Sequence, residues 1–143
     1  MTYATQQDLV DRFGAQELIQ LTDRANMPPS TIDDTVVTRA LTDADALIDG
    51  YVGKVYDLPL PNPLPVLTKT AADIARYFLH GKAADKDSPV TAAYNQALSW
   101  LKDVSKGLVA LDDGGEEPAQ AGDGAVRMRG PDRVFTRDTL RGL

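Results

Sequence analysis

The sequence predicts an all-α protein, a small bundle of about five helices followed by an extended C-terminal arm. Apolar residues recur at steps of three and four through most of the first 110 positions, which is the period of an amphipathic helix. Prolines, glycines and N-cap residues separate these stretches. The chain has 143 residues and 43% hydrophobic content, enough for one modest core. We therefore predict a helical domain over residues 1–110 and a flexible linker with a docking arm over residues 111–143.

Two short helices are predicted at the start of the chain. Thr5 begins the first helix through a capping box with Asp8, and Gly14 ends it. The second helix runs from about Ala15 to Thr22, and the loop Asn-Met-Pro-Pro at residues 26–29 follows it. The two helices together form an N-terminal hairpin.

The longest helix comes next, and Ser30 or Thr31 is predicted to cap it. Its apolar stripe contains Val36, Ala40, Ala44, Leu47, Tyr51 and Val55, widened by Val37, Leu41, Ile48 and Val52. Polar residues occupy the opposite face, which we expect to be solvated: Asp33, Asp34, Thr38, Arg39, Thr42, Asp43, Asp45 and Asp49.

A proline-rich connector reads LPLPNPLP from Leu58 to Pro65, and its alternating prolines favour polyproline II backbone. We expect it to pack against the protein's own core. The alternative is that it serves as a ligand for an aromatic groove on a partner.

Two further helices are predicted beyond the connector. Pro65 begins the first of them and Gly81 ends it, with Leu67, Ala71, Ile74 and Phe78 along one face. The last helix begins at Asp87-Ser88-Pro89 and carries a heptad-like seam: Val90, Tyr94, Ala97, Leu101, Val104 and Leu108. The seam is expected to pack against the longest helix, although a neighbouring subunit could use part of it.

Charge divides the chain into an acidic body and a basic tail. Residues 1–124 hold 10 basic and 19 acidic side chains, whereas residues 125–143 hold five arginines and two aspartates. From Asp112 the segment DDGGEEPAQAGDGA has the composition of a flexible linker. Beyond it, the predicted docking residues are Arg127, Arg129, Arg133, Phe135 and Arg137. We expect them to bind an acidic surface of a neighbouring copy or a partner ring; the alternative is that the tail folds back on its own body.

No catalytic, cofactor or metal site is predicted, so we expect a protein that is not an enzyme and needs no cofactor. The single histidine, His80, lies in the last turn of a helix, and as a general base it has no evident partner in the sequence. Asp43, Asp45 and Asp49 are interpreted as a solvated face, and the carboxylates at 112–117 lack the spacing of a calcium loop. Nucleotide-binding and hydrolase motifs are absent, and there is no cysteine. Neither a signal peptide nor a membrane span is expected.

A DNA-binding regulator is the main alternative from another class. Residues 5–22 mimic a helix-turn-helix, but the second helix offers only Gln16, Glu17 and Gln20 as polar readers. An acidic body would also repel phosphates. The sequence therefore favours a structural protein over a regulator.

Three segments resemble a known family. The opening MTYATQQDLVDRFG, the middle YDLPLPNPLPVLTKTAADIARYFLHG and the ending DRVFTRDTLRGL are together similar to the Mu-type prophage family associated with head completion. The resemblance runs in the same order through nearly the whole chain. It implies a small helical fold similar to the head-to-tail adaptors of long-tailed phages.

Such adaptors form a ring, commonly of twelve copies, beneath the portal, and the genome passes through their channel. The resemblance thus implies a virion protein of the neck, assembled in the host cytoplasm, with its own copies, the portal above and a neck or tail protein below as partners. DNA would pass without specific binding, and an acidic lumen would help it slide. A lower neck or tail-completion role is the alternative within this class.

Overall fold

The computed structural model describes residues 1–62 and 64–111, and the helical prediction is confirmed for them. The five α-helices are α1 (Gln6–Phe13), α2 (Ala15–Thr22), α3 (Asp34–Val52), α4 (Pro65–His80) and α5 (Pro89–Ser105). A short 3-10 turn, Gly81–Ala83, follows α4. No strand occurs within these two described ranges.

The N-terminal hairpin has the predicted boundaries because its caps form as the sequence indicates. The backbone N–H of Thr5 donates to the Asp8 carboxylate at 2.7 Å, and the N–H of Asp8 donates to the Thr5 hydroxyl at 3.3 Å. Gly14 then turns the chain with a φ of +89°, a conformation that glycine adopts without strain. Its N–H closes α1 on the carbonyl of Val10.

The long helix α3 begins later than predicted, so the proposed cap at Ser30 or Thr31 is wrong. Asp33 is the N-cap, and its carboxylate accepts hydrogen bonds from the N–H groups of Thr35 and Val36. Ser30 and Thr31 instead direct their backbone N–H groups to Asp23. Because the Asp23 carboxylate holds residues 23–31 in a loop, the helix begins only after Asp33.

The core lies where α3, α4 and α5 pack on one another, with the α1–α2 hairpin laid against α3 and α4. Its largest fully buried side chains come from all five helices: Leu9, Leu18, Val37, Ile48, Val52, Leu67, Ile74, Leu101 and Val104. The intramolecular packing predicted for the α5 seam is confirmed from Ala97 to Val104. Leu108 leaves the seam, because α5 ends at Ser105 and Gly107 turns the chain.

The buried face of α3 is centred on the residues that were predicted only to widen its apolar stripe. Val37, Leu41, Ile48 and Val52 are buried together with Ala40 and Ala44, whereas Val36, Leu47 and Tyr51 are only half-buried. Asp45 is buried as well, so its predicted place on a solvated face is wrong. The reason is that residues 1–5 cover this part of α3 and supply its hydrogen bond.

The connector packs on the core, as predicted, through Leu60 and Leu64, while Leu58 is exposed. At the other end of the described chain, Leu111 is buried and donates its N–H to the Tyr56 hydroxyl at 2.6 Å. The body's contacts therefore reach residue 111, and the division into a domain and an arm stays a prediction. Within the described residues, no helix is both long and apolar enough to cross a membrane.

Candidate interaction surfaces

The first five residues cover one side of α3 and use two of its carboxylates. The Tyr3 N–H donates to Asp45 at 3.1 Å, and the Tyr3 hydroxyl donates to Asp49 at 2.5 Å. The Met1 amine also binds Asp49, at 3.0 Å. Burial raises the pKa of Asp45, although the Tyr3 hydrogen bond opposes this rise. Two carboxylates of the acidic face predicted for α3, Asp45 and Asp49, therefore make internal contacts.

A second polar cluster joins the hairpin to α4. The guanidinium of Arg76 donates to both Glu17 oxygens at 2.6 and 2.9 Å and lies over the Phe13 ring. His80 Nε2 lies 3.3 Å from the same carboxylate, a contact that the sequence did not reveal. Burial would raise the pKa of Glu17, but the contacts with Arg76 and His80 bring the net value below its usual range. Glu17 is thus engaged internally and is a poor reader of DNA bases.

The loop between α2 and α3 is organised around one carboxylate. Asp23 accepts hydrogen bonds from the N–H groups of Ala25, Asn26, Ser30 and Thr31 at 2.9–3.1 Å. The Asn26 and Thr31 side chains add two more. These donors hold the pKa of Asp23 well below its ordinary range. We call this end of the bundle, residues 23–33, the loop end.

Met27 projects from the loop end with 95% of its surface exposed. So exposed an apolar side chain adds little to the stability of the fold and is available to a partner. Methionine is also adaptable in protein contacts. The exposure of Met27 was not predicted from the sequence, although Asp23 and Asn26 before the two prolines are a turn signal that indicates an exposed loop.

The opposite end of α3 is where the described chain leaves the body. We call residues 53–62 and 106–111 the exit end. Leu111 binds the Tyr56 hydroxyl there, and the Leu108 N–H bonds to the carbonyl of Asp103 at 2.9 Å. Leu108 itself is 72% exposed. The exit end therefore also presents an apolar side chain from an ordered backbone.

The α4–α5 side of the bundle carries aromatic and apolar surface. Tyr77 and Tyr94 stack with ring centroids 4.0 Å apart, and Phe78 meets Tyr94 at 6.0 Å. Elsewhere along the same two helices, a groove of about 160 Å³ is lined by Val66, Lys69, Thr70, Asp73, Ala93, Gln96, Ala97 and Trp100. Both features combine apolar surface with polar atoms.

The predicted docking residues Arg127, Arg129, Arg133, Phe135 and Arg137 lie outside the described residues, as does the acidic cluster at 112–117. Their role stays a prediction. Among the side chains that are described, no group of three or more histidine or acidic residues is arranged to hold a metal ion. Asp45 and Asp49 contact Tyr3, and Asp43 is exposed.

Comparison with known proteins identifies the family. A sequence model of the family described as Bacteriophage Mu, Gp36 matches residues 3–129. The chain belongs to this family. It is 32% identical over 140 residues to "Gene product J" of Escherichia phage Mu, with 96% of each chain covered. It is also 29% identical over 142 residues to "Mu-like prophage FluMu protein gp36" of Haemophilus influenzae, covering 99% of this chain and 97% of that protein.

The resemblance to a Mu-type prophage family is thereby confirmed, and the chain is a protein of Mu-like phages. The Gp36 match includes the described body from Tyr3 onward and extends to Arg127 and Arg129. It ends before Arg133, Phe135 and Arg137. The relatives in phage Mu and in Haemophilus influenzae nevertheless align with the arm as well, because they cover nearly the whole chain.

Proposed function

We propose that this Gp36-family chain is a structural protein of the virion with no catalytic role, the head-to-tail adaptor that forms a ring beneath the portal and lets DNA pass. The observation that carries the proposal is membership of the Gp36 family over residues 3–129, and one exposed apolar side chain at each end of the packed body supports it. Met27 stands at the loop end and Leu108 at the exit end. An adaptor needs such a pair, because one end meets the portal and the other meets the neck or tail.

The distance between the two ends follows from α3, which has 19 residues. At 1.5 Å per residue the helix is about 28 Å long. The loop end is fixed to its start, since the Asp33 N–H donates to the Thr22 hydroxyl and Asp23 gathers the loop. The exit end is fixed to its finish through Tyr56 and Leu111. The two ends are thus joined by one packed helix.

The negative net charge of the body supports the passage of DNA, but this charge is smaller over the described residues than over residues 1–124. Residues 1–111 hold 14 acidic and 10 basic side chains, so the described body is only mildly acidic. Five further acidic residues lie between 112 and 125, outside the described part. A surface of this sign disfavours stable contacts with phosphate. We propose a ring whose channel DNA crosses without specific binding, and twelve copies follow from the family resemblance.

Two other functions compete with this one. A lower neck or tail-completion protein would use the same two ends, with a different partner above. A DNA-binding regulator is disfavoured by the engagement of Glu17 with Arg76 and His80, because this removes one of its three polar readers. Neither alternative explains an ordered loop that exposes Met27 better than the adaptor does.

The test of the proposal is the protein's copy number in purified phage particles. Quantitative mass spectrometry against the portal protein should find a fixed copy number of ring size, near the number of portal subunits. Particles made without this protein should contain heads that do not join tails. Absence of the chain from mature particles, together with duplex binding that weakens steeply with salt, would instead support the regulator.

A further inference from the structure

The groove between α4 and α5 is an open apolar site on the body. Val66, 41% exposed, and the half-buried Trp100 supply its largest apolar surfaces, while Ala93 and Ala97 leave room between the helices. Its polar lining includes the ion pair of Lys69 with Asp73, at 2.7 Å. Asp103 lies one turn beyond Trp100 on α5, so a second carboxylate is close to the groove.

We propose that this groove is the docking site of the chain's own C-terminal arm, residues 126–143, with Phe135 as the anchor. The arm is close enough along the chain to reach the groove. The described chain ends at Leu111, six residues after α5, and Trp100 lies about 8 Å before the end of that helix at 1.5 Å per residue. The glycine-rich segment 112–125 has 14 residues, which corresponds to a mean span of about 20 Å. The arm therefore begins within range of the groove.

The arm also fits the groove chemically. The open groove, of about 160 Å³, presents the apolar surfaces of Val66 and Trp100, against which the aromatic ring of Phe135 can pack. In an extended segment, Arg133 and Arg137 lie on the same face as Phe135. They would then stand on either side of the anchor, where Asp73 and Asp103 offer carboxylates to guanidinium groups.

The chain's own arm is the occupant in the isolated protein, because tethering gives it an effective concentration in the millimolar range. This contact requires neither the portal nor the ring. Its failure would therefore leave the adaptor proposal standing, and loss of portal binding would leave this contact standing. In a ring, exchange of arms between neighbouring grooves would provide the predicted clasp.

Trp100 is the single tryptophan of the chain, so its fluorescence reports the groove directly. In the full-length protein, Phe135→Ala should shift the Trp100 emission to longer wavelength and increase its quenching by acrylamide. Thr136→Ala, the matched control on the opposite face of an extended arm, should leave both unchanged. A peptide of residues 126–143 added to the Phe135→Ala protein should restore the original emission.

A second variant tests the groove from the other side. Ala93→Leu should fill the space between the helices and accelerate tryptic cleavage after Arg133, with unchanged helical content by circular dichroism. Equal emission and quenching in the wild-type and Phe135→Ala proteins would overturn the proposal. Emission that changes on dilution would also contradict it, because a tethered arm binds independently of protein concentration.

Discussion

At the residue scale, a few carboxylates determine how the helices are connected. Asp23 gathers four backbone N–H groups, Asp33 caps α3, and Asp45 and Asp49 hold the N-terminal segment. Each carboxylate satisfies donors that a loop or a helix end would otherwise leave unpaired. Of the carboxylates that the sequence assigned to a solvated face, Asp45 and Asp49 thus serve as internal acceptors, whereas Asp33, Asp34 and Asp43 are exposed as predicted.

Replacing Asp23 should loosen the loop end. Asp23→Ala removes the acceptor for the Asn26, Ser30 and Thr31 N–H groups, so we expect a lower melting temperature and faster hydrogen exchange at those amides. Asp43→Ala, a change at an exposed carboxylate, is the control and should alter neither. Because the folded pKa of Asp23 is depressed, its stabilisation is complete at neutral pH and declines as the pH falls below the ordinary carboxyl range. Unchanged exchange in Asp23→Ala would contradict the role of this residue.

The cluster of Glu17, Arg76 and His80 should hold the hairpin to α4. Arg76→Ala leaves a partly buried carboxylate without its bidentate partner, and we expect a loss of about 1–2 kcal/mol in the free energy of unfolding. Lys69→Ala breaks an exposed ion pair within one helix and should cost about 0.5 kcal/mol or less. Urea unfolding followed by circular dichroism measures both. Equal losses would mean that the cluster adds nothing beyond a surface ion pair.

At the element scale, helix existence was predictable from sequence and the burial of individual polar residues was not. Gly14 and Pro65 mark boundaries by their own backbone preferences, so α1, α2 and α4 agree with prediction. The cap of α3 and the burial of Asp45 depend on residues distant in sequence, Asp23 and Tyr3. Leu108 satisfies the helical period, but Gly107 removes it from the seam. The apolar period of a helix carries no information about contacts with residues elsewhere in the chain.

The orientation of α3 can be tested with two adjacent residues. Ile48→Ala removes a fully buried side chain and should cost about 2–5 kcal/mol in stability. Leu47→Ala, at a half-buried position, should produce a clearly smaller loss because solvent already reaches part of this side chain. Denaturant titration of both variants measures the two losses in the free energy of unfolding. A larger loss for Leu47→Ala would show that α3 is rotated from the orientation described.

At the scale of the whole molecule, the described residues form one packed helical body with an exposed apolar side chain near each end, Met27 and Leu108. The fold class and the family resemblance were accessible from sequence, because periodic helices and three ordered segments are local signals. The exposed Met27 and the α4–α5 groove were not, since both depend on how distant elements pack. The predicted docking arginines follow residue 111 and lie outside the described part.

Charge reversal in the arm should weaken assembly of the proposed ring without unfolding the body. The triple variant Arg127→Glu, Arg129→Glu and Arg133→Glu replaces attraction to carboxylates with repulsion. We expect fewer assembled rings by analytical ultracentrifugation, with the helical circular dichroism signal unchanged. The triple variant Arg39→Glu, Lys82→Glu and Lys86→Glu, at exposed positions of the body, is the control with the same change in net charge. Normal assembly of the triple variant would eliminate the arm as a clasp.

The most direct test of the adaptor role is native mass spectrometry of this protein mixed with the portal ring of the same phage. We predict a symmetric complement of bound copies, one ring of this chain on each portal ring. The variants Met27→Ser and Leu108→Ser should show which end faces the portal, because only the variant at that end should lose portal binding. Absence of binding to the portal at any salt concentration would contradict the adaptor role and favour a position lower in the neck.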